Sequence, residues 1–164
     1  MEDHMELHNT KIDIAKDKRE KLIELLNQSL ADAMDLKSQA KQAHWNVKGP
    51  NFIALHELFD QVATEVEVHV DDLAERITTL GGVAMGTVRI AAETSSLSQY
   101  PLEITDGTAH VDALSTALAD FGKKVRKNID VTDELGDADT ADLYTGISRA
   151  TDKLLWFVEA HNQA

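Results

Sequence analysis

Four polar side chains in one stretch of the chain have the types and the spacing of metal ligands. His56 and Asp60 form a first pair, and Asp71 and Glu75 form a second pair, each with a spacing of four residues. Side chains four residues apart lie on the same face of a helix, so each pair offers two donors to one ion. Imidazole and carboxylate together suit Fe(II), Mn(II) or Zn(II). The same spacing is also typical of charges on a solvated helix face, and the spacing alone leaves both interpretations open.

One ion cannot contact both pairs of the same helix. Asp60 and Asp71 are eleven residues apart, which places them within about 20° of the same face but roughly 16 Å apart along the helix axis. Bonds from a metal ion to its ligands, at about 2.0–2.2 Å, require a far smaller separation. Within one chain, the two pairs therefore belong to different sites.

A two-fold axis between two chains removes this difficulty. If two copies of the helix cross antiparallel, the first pair of one chain faces the second pair of its mate, because an isologous contact is the same in both directions. The axis would pass near Glu65 and Val66 and generate two equivalent sites about 22 Å apart. His44, close to the end of the preceding helix, is an additional candidate ligand. On this hypothesis, Asp60→Ala weakens metal binding.

Hydrophobic periodicity places these residues on two long helices. Only two prolines and eight glycines interrupt the 164 residues, which indicates a mostly helical chain. Apolar or small residues follow the spacing of a bundle helix over about Asp17–Val47 and about Phe52–Leu80. Between them, Lys48–Asn51 contains a glycine and a proline and ends with a residue suited to cap the next helix. The periodic positions are 22, 26, 29, 33, 36, 40, 43 and 47, then 52, 55, 59, 62, 66, 69, 73, 77 and 80.

Two further helices follow a long connection. The sequence predicts a third helix over about Thr105–Ile129, a polar turn over 130–138 and a fourth helix over about Thr140–His161. The connection at 83–104 is irregular, with a short helix around Val88–Thr94. One long crossover between helices 2 and 3 is typical of a ferritin-like bundle, so we predict an all-α, ferritin-like four-helix fold. The predicted organisation is a flexible N-terminal tail over 1–15 and a single domain over 16–164.

The composition excludes several functional classes. With 16 basic and 29 acidic side chains the chain has a formal charge of −13, which favours cations over nucleic acid or anionic membranes as partners. It contains no cysteine, which excludes disulfide scaffolds, thiolate zinc sites and iron–sulfur clusters and favours a reducing compartment. The N-terminus does not have the pattern of a signal peptide, and no apolar window is long enough for a membrane span. We expect a cytoplasmic protein.

Other histidines and both tryptophans have simpler interpretations. His69 lies on the periodic apolar face, which predicts packing in the core or in an interface, whereas His110 and His161 are predicted at the surface. Trp45 and Trp156 are interpreted first as core residues. The Glu-x-x-His signature of di-iron centres built within one bundle is absent, so a centre of that kind is not expected.

Three segments together resemble one known family. They are Ala43–Phe52 (AHWNVKGPNF), Leu55–Asp60 (LHELFD) and His69–Arg76 (HVDDLAER). The ligand spacing H-x11-H-x3-D-x10-D-x3-E is highly specific, and the similarity extends over roughly residues 20–160. The chain is similar to the Dps family, the mini-ferritins also called DNA-binding proteins from starved cells.

The resemblance implies a ferroxidase. Its centre would combine His44, His56 and Asp60 of one subunit with Asp71 and Glu75 of another, at the two-fold interfaces of a hollow homododecamer. Two Fe(II) ions would bind each centre and be oxidised, preferentially by hydrogen peroxide, with Fe(III) stored inside as a mineral and DNA protected from oxidative damage. Zn(II) could substitute for iron, because the two ions share ligand types.

The resemblance also implies roles outside the centre. Trp45 would lie beside the centre as a candidate redox residue. An acidic pore at the three-fold axes would use Asp142, with Asp139 and Asp137 as companions. Rings of carboxylates attract cations, so such a pore suits iron entry.

The N-terminal tail departs from the relatives that bind DNA through lysine-rich tails. Residues 1–20 contain four basic and six acidic side chains, so we expect direct DNA binding to be weak. His4 and His8 are four residues apart among acidic neighbours, which is compatible with a secondary metal site or with a plain acidic tail. Two alternatives to the ferroxidase remain: a nucleoid-compacting DNA-binding structural protein, and a helical scaffold without metal chemistry.

Overall fold

Four long helices and one short helix make up the fold. The computed structural model describes residues 6–163, and in this range no β-strand forms and no helix is long and apolar enough to cross a membrane. The all-α fold predicted from the sequence, with four long helices and a long crossover between the second and third of them, is confirmed. The helices are α1 (Lys16–Asn46), α2 (Phe52–Thr79), α3 (Val88–Thr94), α4 (Gly107–Glu134) and α5 (Ala138–Glu159), followed by a 3₁₀ turn at Ala160–Asn162.

The apolar faces of the long helices pack in two antiparallel pairs, α1 with α2 and α4 with α5. Every periodic position predicted for the first helix is buried. In the second helix the exceptions are Phe52, which is exposed, and His69, which is half-buried. Burial of side chains such as Leu22, Phe59 and Phe121 provides the main driving force for the fold.

The turn between α1 and α2 brings the end of one helix beside the start of the other. Gly49 has a φ of +114°, a conformation that a side chain would strain. The Lys48 N–H donates to the Thr105 carbonyl at 2.8 Å, which ties the turn to the start of α4. Asn51 occupies the N-cap position of α2 without a side-chain hydrogen bond. The turn thus fixes the relative height of the first residues of α2 and the last residues of α1.

Two carboxylates of α1 hold the long crossover in place through hydrogen bonds. Asp32, which is buried, accepts hydrogen bonds from the backbone N–H and the hydroxyl of Ser96 at 2.7 and 3.0 Å. Asp35 accepts one from the Ser95 hydroxyl at 2.6 Å. These contacts hold the chain just before Tyr100, whose side chain enters the core.

The third long helix extends further than the sequence predicted. α4 continues through residues 130–134, where we expected a polar turn, and ends before Gly136, which has a φ of +84°. The physical reason is Thr132, which is fully buried and satisfies its hydroxyl with the Asn128 carbonyl of its own helix at 2.8 Å. A polar residue that bonds to the preceding turn can remain helical.

The described part of the N-terminal segment contacts the bundle. Leu7 and Ile14 pack against the core, and the His8 N–H donates to the Gly81 carbonyl at 2.8 Å. Arg19 is buried at the start of α1 and donates to the Leu80 carbonyl, also at 2.8 Å. Flexibility of residues 1–15 stays a prediction, and residues 1–5 lie outside the described range.

A buried ion pair joins the end of α2 to the start of α5. Arg76 Nη2 donates to both carboxylate oxygens of Asp137 at 2.9 and 3.0 Å, and its Nε donates to the Thr140 hydroxyl at 2.9 Å. Burial raises the pKa of Asp137, but hydrogen bonds from the Thr140 hydroxyl and backbone N–H and from Arg76 outweigh it and lower the pKa below its usual value. The carboxylate is therefore ionised at neutral pH.

Removing this pair should destabilise the fold. We expect Arg76→Ala to lower the free energy of unfolding by about 3 kcal/mol at pH 7, because it leaves the Asp137 charge buried without its partner. Since the pKa of Asp137 is lowered, the pair stabilises the protein at neutral pH, and its contribution disappears as the pH falls through that pKa. Urea unfolding of wild type and variant at equal protein concentration measures the difference at each pH.

An exposed ion pair provides the control. Arg126 Nη2 donates to both carboxylate oxygens of Asp152 at 2.6 Å, but both side chains are more than half exposed. Arg126→Ala should therefore change the free energy of unfolding by less than about 1 kcal/mol. An equal loss in both variants would show that burial of the Arg76 pair adds nothing.

Candidate metal centre

Two stacked histidines form one part of the candidate centre. His44, from the last turn of α1, and His56, from the second turn of α2, have ring centroids 3.8 Å apart and planes inclined by 18°. His44 Nδ1 lies 2.6 Å from the His56 carbonyl oxygen, and His56 Nδ1 lies 2.7 Å from the His44 carbonyl oxygen. The two helices thus exchange a reciprocal pair of hydrogen bonds at this point.

These bonds decide which ring nitrogens can bind a metal. A carbonyl oxygen only accepts, so Nδ1 carries the proton in both rings and the lone pair remains on Nε2. Orientation of an imidazole ligand by a carbonyl on its far nitrogen is a recurrent feature of metal sites in proteins. His44 and His56 are therefore prepared as two Nε2 donors before any ion arrives.

Asp60 adds a carboxylate to the two imidazoles. It lies one turn after His56, half-buried, and its Oδ1 accepts a hydrogen bond from Lys41 Nζ at 2.6 Å. That hydrogen bond is the main cause of the lowered pKa of Asp60; burial opposes it, and the charges of Lys41, His44 and His56 add to it. The stacked rings of His44 and His56 lie close enough to Asp60 for their charges to act on its carboxylate, but these three side chains do not by themselves form a set that could hold an ion. Lys41 is a neighbour of Asp60 that the sequence reasoning missed.

Removing the Lys41 charge should strengthen metal binding. In Lys41→Gln both oxygens of Asp60 become available to an ion and a nearby positive charge disappears. We expect the affinity of the assembled protein for Zn(II) at pH 7 to rise by about two- to fivefold, the range of partly exposed ion pairs. Calorimetric titration measures it, and the gain should shrink at high salt.

A neighbouring lysine provides the matched control for that measurement. Lys37, one turn earlier on α1, pairs with Glu67 instead of with a candidate ligand. Lys37→Gln should leave the Zn(II) affinity unchanged. An equal gain in both variants would mean that general charge, and not the contact with Asp60, sets the affinity.

The second pair lies apart from the first. Asp71 and Glu75 are exposed on the later turns of α2, and no three His, Asp or Glu side chains of residues 6–163 come together to hold one ion. Asp71 lines a groove of about 940 Å³ between α1, α2 and the crossover, which Tyr100 also lines. The candidate donors of one subunit thus fall into two separate groups, one at the α1–α2 turn and one on the later turns of α2.

The residues proposed for a pore fall into two groups. Asp139 and Asp142 are exposed and share a concavity of about 370 Å³ with Asp72 and Glu75, so the second pair borders this acidic surface. Asp137 is not available to a pore, because it is buried, caps α5 and binds Arg76, as described above. The sequence signal for this capping role is its position immediately before the helix.

The remaining tryptophan and histidine predictions have mixed outcomes. In the subunit, Trp45 and Trp156 are 65% and 59% exposed, so the expectation that they belong to the core is wrong. The prediction that His110 lies at the surface is also wrong, because it is 1% exposed and hydrogen-bonded to Tyr100. His161 is exposed, as predicted. His69 is half-buried, and burial lowers its pKa.

The tail histidines cannot be compared as a pair. His8 is exposed, and its backbone N–H donates to the Gly81 carbonyl. His4 lies outside the described residues. A secondary metal site in the tail stays a prediction.

The order of the helices and the long crossover define a ferritin-like protein. The ferritin-like domain family matches residues 23–164. A protein of Agrobacterium fabrum named DNA protection during starvation protein is 45% identical over 97% of this chain and 98% of its own length. The chain belongs to the Dps family of ferritin-like proteins.

Solved structures agree with this assignment. Dps of Mycobacterium smegmatis in a tetragonal form is 32% identical, with a TM-score of 0.91 and 96% of each chain covered. Dps of Microbacterium arborescens, in a structure described as the high iron form, is 31% identical with a TM-score of 0.85, over 92% of this chain and 97% of that one. The similarity therefore extends over almost the whole chain and not only over the ligand motif.

Proposed function

We propose that the protein is a ferroxidase that oxidises Fe(II) with hydrogen peroxide and stores the Fe(III) as a mineral. The observation that carries this proposal is the reciprocal hydrogen bonding of His44 and His56, which leaves two Nε2 lone pairs on rings whose charges act on the Asp60 carboxylate one turn further along α2. Two imidazoles and a carboxylate suit Fe(II), and the high iron form of a similar protein supports iron over other ions.

The proposed centre is completed by a second subunit. Asp71 and Glu75 are exposed carboxylates on the same helix as the first pair, about 16 Å away from it. An antiparallel two-fold contact places the second pair of one subunit opposite the histidines of the other, giving two centres per dimer. Each centre then has five protein donors for two Fe(II) ions, and Zn(II) is a redox-inert substitute for iron.

The proposed assembly is a homododecamer in the cytoplasm. Each subunit has a formal charge of −13, so twelve subunits together have a formal charge of −156. This negative charge concentrates Fe(II) around the cage and raises the rate at which Fe(II) enters it. Asp139 and Asp142, on the acidic surface beside Glu75, are the proposed entry residues. Reduction of one peroxide by two Fe(II) yields two Fe(III) and two hydroxides. Both reagents of hydroxyl-radical formation are consumed, and in this way we propose that the protein protects DNA.

The test is an anaerobic addition of Fe(II) to the assembled protein, followed by peroxide, with the absorbance of the ferric product recorded. We expect a fast phase in the wild type that slows by about 100-fold or more in His44→Ala/His56→Ala, since even neighbours of metal ligands contribute 10–100-fold. His161→Ala, which removes an exposed histidine, should retain the fast phase. Survival of the fast phase in the assembled double variant would overturn the proposal.

A further inference from the structure

Tyr100 and His110 form a buried hydrogen bond that the proposed ferroxidase reaction does not use. The Tyr100 hydroxyl lies 2.7 Å from His110 Nδ1, and the two rings are nearly parallel, with centroids 5.9 Å apart. Tyr100 is 6% exposed and His110 is 1% exposed. A phenol and an imidazole are thus paired away from water, at the junction between the crossover and α4.

The environment of the pair sets the direction of the proton. Burial lowers the pKa of His110, so the ring is neutral near pH 7, and burial raises the pKa of Tyr100, so the phenol keeps its proton. The backbone of Ile104 favours the protonated form of the His110 ring, and Nε2 has no hydrogen-bond partner among the described residues. If Tyr100 donates to Nδ1, only the Nε2–H is left unpaired, whereas the reverse direction leaves both the phenolic proton and the Nε2 lone pair unpaired. The Tyr100 hydroxyl is therefore assigned as the donor to Nδ1.

An aromatic path connects this pair to the helix that holds the candidate ligands. The ring of Phe59 lies 6.4 Å, centroid to centroid, from the ring of His110. Phe59 is fully buried, immediately precedes Asp60 and follows His56 by one helical turn. The rings of Tyr100, His110 and Phe59 therefore lead from the interior to the back of the proposed centre.

We propose that Tyr100 and His110 form a redox pair that holds one oxidising equivalent of peroxide until a second Fe(II) ion arrives. The inference rests on the proposed ferroxidase function. When a centre holds a single Fe(II), that ion reduces peroxide to hydroxide and a hydroxyl radical and is itself oxidised to Fe(III). Tyr100 then gives one electron to the hydroxyl radical, which becomes hydroxide, and gives its phenolic proton to His110 Nδ1.

The products of this step are a neutral tyrosyl radical and a protonated imidazole, so charge and electrons balance. A second Fe(II) returns an electron to Tyr100, His110 returns the proton, and the second Fe(III) is formed. The Ile104 carbonyl and the Asp106 carboxylate favour the protonated ring in the interval. The gain to the cell is that a hydroxyl radical is consumed inside the protein instead of reaching DNA.

The second tyrosine of the chain is the natural control. Tyr144 is also fully buried, but its hydroxyl contacts the Ser29 hydroxyl at 2.7 Å and the Leu25 carbonyl at 3.4 Å, neither of which is a base that can take a proton. Oxidation of Tyr144 would have to create a charged radical in the core. The two buried tyrosines thus differ in the proton acceptor and not in exposure.

The experiment is rapid freeze-quench electron paramagnetic resonance of the assembled protein after Fe(II) and peroxide. We expect a radical signal that narrows when the tyrosines are ring-deuterated, persists in Tyr144→Phe and disappears in Tyr100→Phe. His110→Gln should slow its formation by about 100-fold, a modest contribution for a positioned base. A signal unchanged in Tyr100→Phe, or absent from a wild type that still oxidises iron rapidly, overturns the inference.

A second arm separates this inference from the ferroxidase proposal. Flash-generated ruthenium(III) tris-bipyridine, a one-electron oxidant, is applied to iron-free protein. A tyrosyl signal that requires both Tyr100 and His110 supports the redox pair even if iron oxidation fails in the first arm, which would then count against the ferroxidase alone. A signal that arises from Tyr144, or that does not change in His110→Gln, overturns the pair whatever the iron chemistry shows.

Discussion

Two inactive variants should recover about a quarter of the ferroxidase centres when they are produced together in equal amounts. The first variant, His44→Ala/His56→Ala, lacks the imidazole half of the centre, and the second, Asp71→Asn/Glu75→Gln, lacks the other half. In a mixed dimer, one of the two centres combines both defects and the other combines both intact halves. Half of the dimers are mixed in a random assembly, so about one centre in four is complete.

The measurement is the amplitude of the fast ferric phase in co-expressed, differently tagged subunits, compared with each variant alone. The control mixes His44→Ala with His56→Ala, whose changes lie in the same half of the centre. Every centre then contains one defect, and no recovery is expected. A failure of the cross-half mixture to recover, with assembly intact, would place all the donors in one chain and contradict the shared centre.

This prediction depends on a feature that could be read from the sequence. The spacing of four within each pair and of eleven between Asp60 and Asp71 fixes where the donors lie on a regular helix, because helical rise and rotation are constant. The structure retains that geometry, since α2 is continuous from Phe52 to Thr79. Long amphipathic helices are predictable for the same reason, as the burial of Leu22, Leu26 and Leu36 shows.

Contacts between distant segments could not be predicted in the same way. Lys41 reaches Asp60 and the Tyr100 hydroxyl reaches His110 only because α1, α2 and the crossover pack at particular heights, which depend on turn geometry. No sequence pattern around His110 predicts that its side chain is buried. Thr132 is an error in the opposite direction. A polar residue in the sequence favours a turn, but the hydroxyl of Thr132 is hydrogen-bonded within its own helix.

The exposure of the tryptophans has a similar origin. Trp45 follows the buried Ala43 by two residues, so a continuous α1 turns its side chain away from the core. The residue type of Trp45 predicts a buried side chain. The register of α1 instead places Trp45 next to His44, on the side of the helix that faces away from the core. Its proximity to the proposed centre is therefore a consequence of the helix, and its redox role stays a proposal.

The tail should make the protein a poor ligand for DNA. Residues 1–20 have two more acidic than basic side chains, and the structure reduces the available positive charge further. Arg19 is buried and donates to the Leu80 and Ile14 carbonyls, and Lys16 lies 3.8 Å from Glu20. Affinity for duplex DNA depends on basic groups that displace counterions from phosphates, and few remain free here.

We therefore expect no gel shift of duplex DNA by the assembled protein at about 0.15 M salt with chelator present. Glu2→Lys/Asp3→Lys/Glu6→Lys/Asp13→Lys should create binding whose affinity falls steeply with salt, by close to one power of the salt concentration for each phosphate neutralised. Changing the same four residues to Gln removes repulsion without adding lysines, and should bind far more weakly than the Lys variant. Tight, salt-sensitive binding by the unmodified protein would instead show that basic groups elsewhere on the cage overcome its negative field, and would favour direct compaction of DNA.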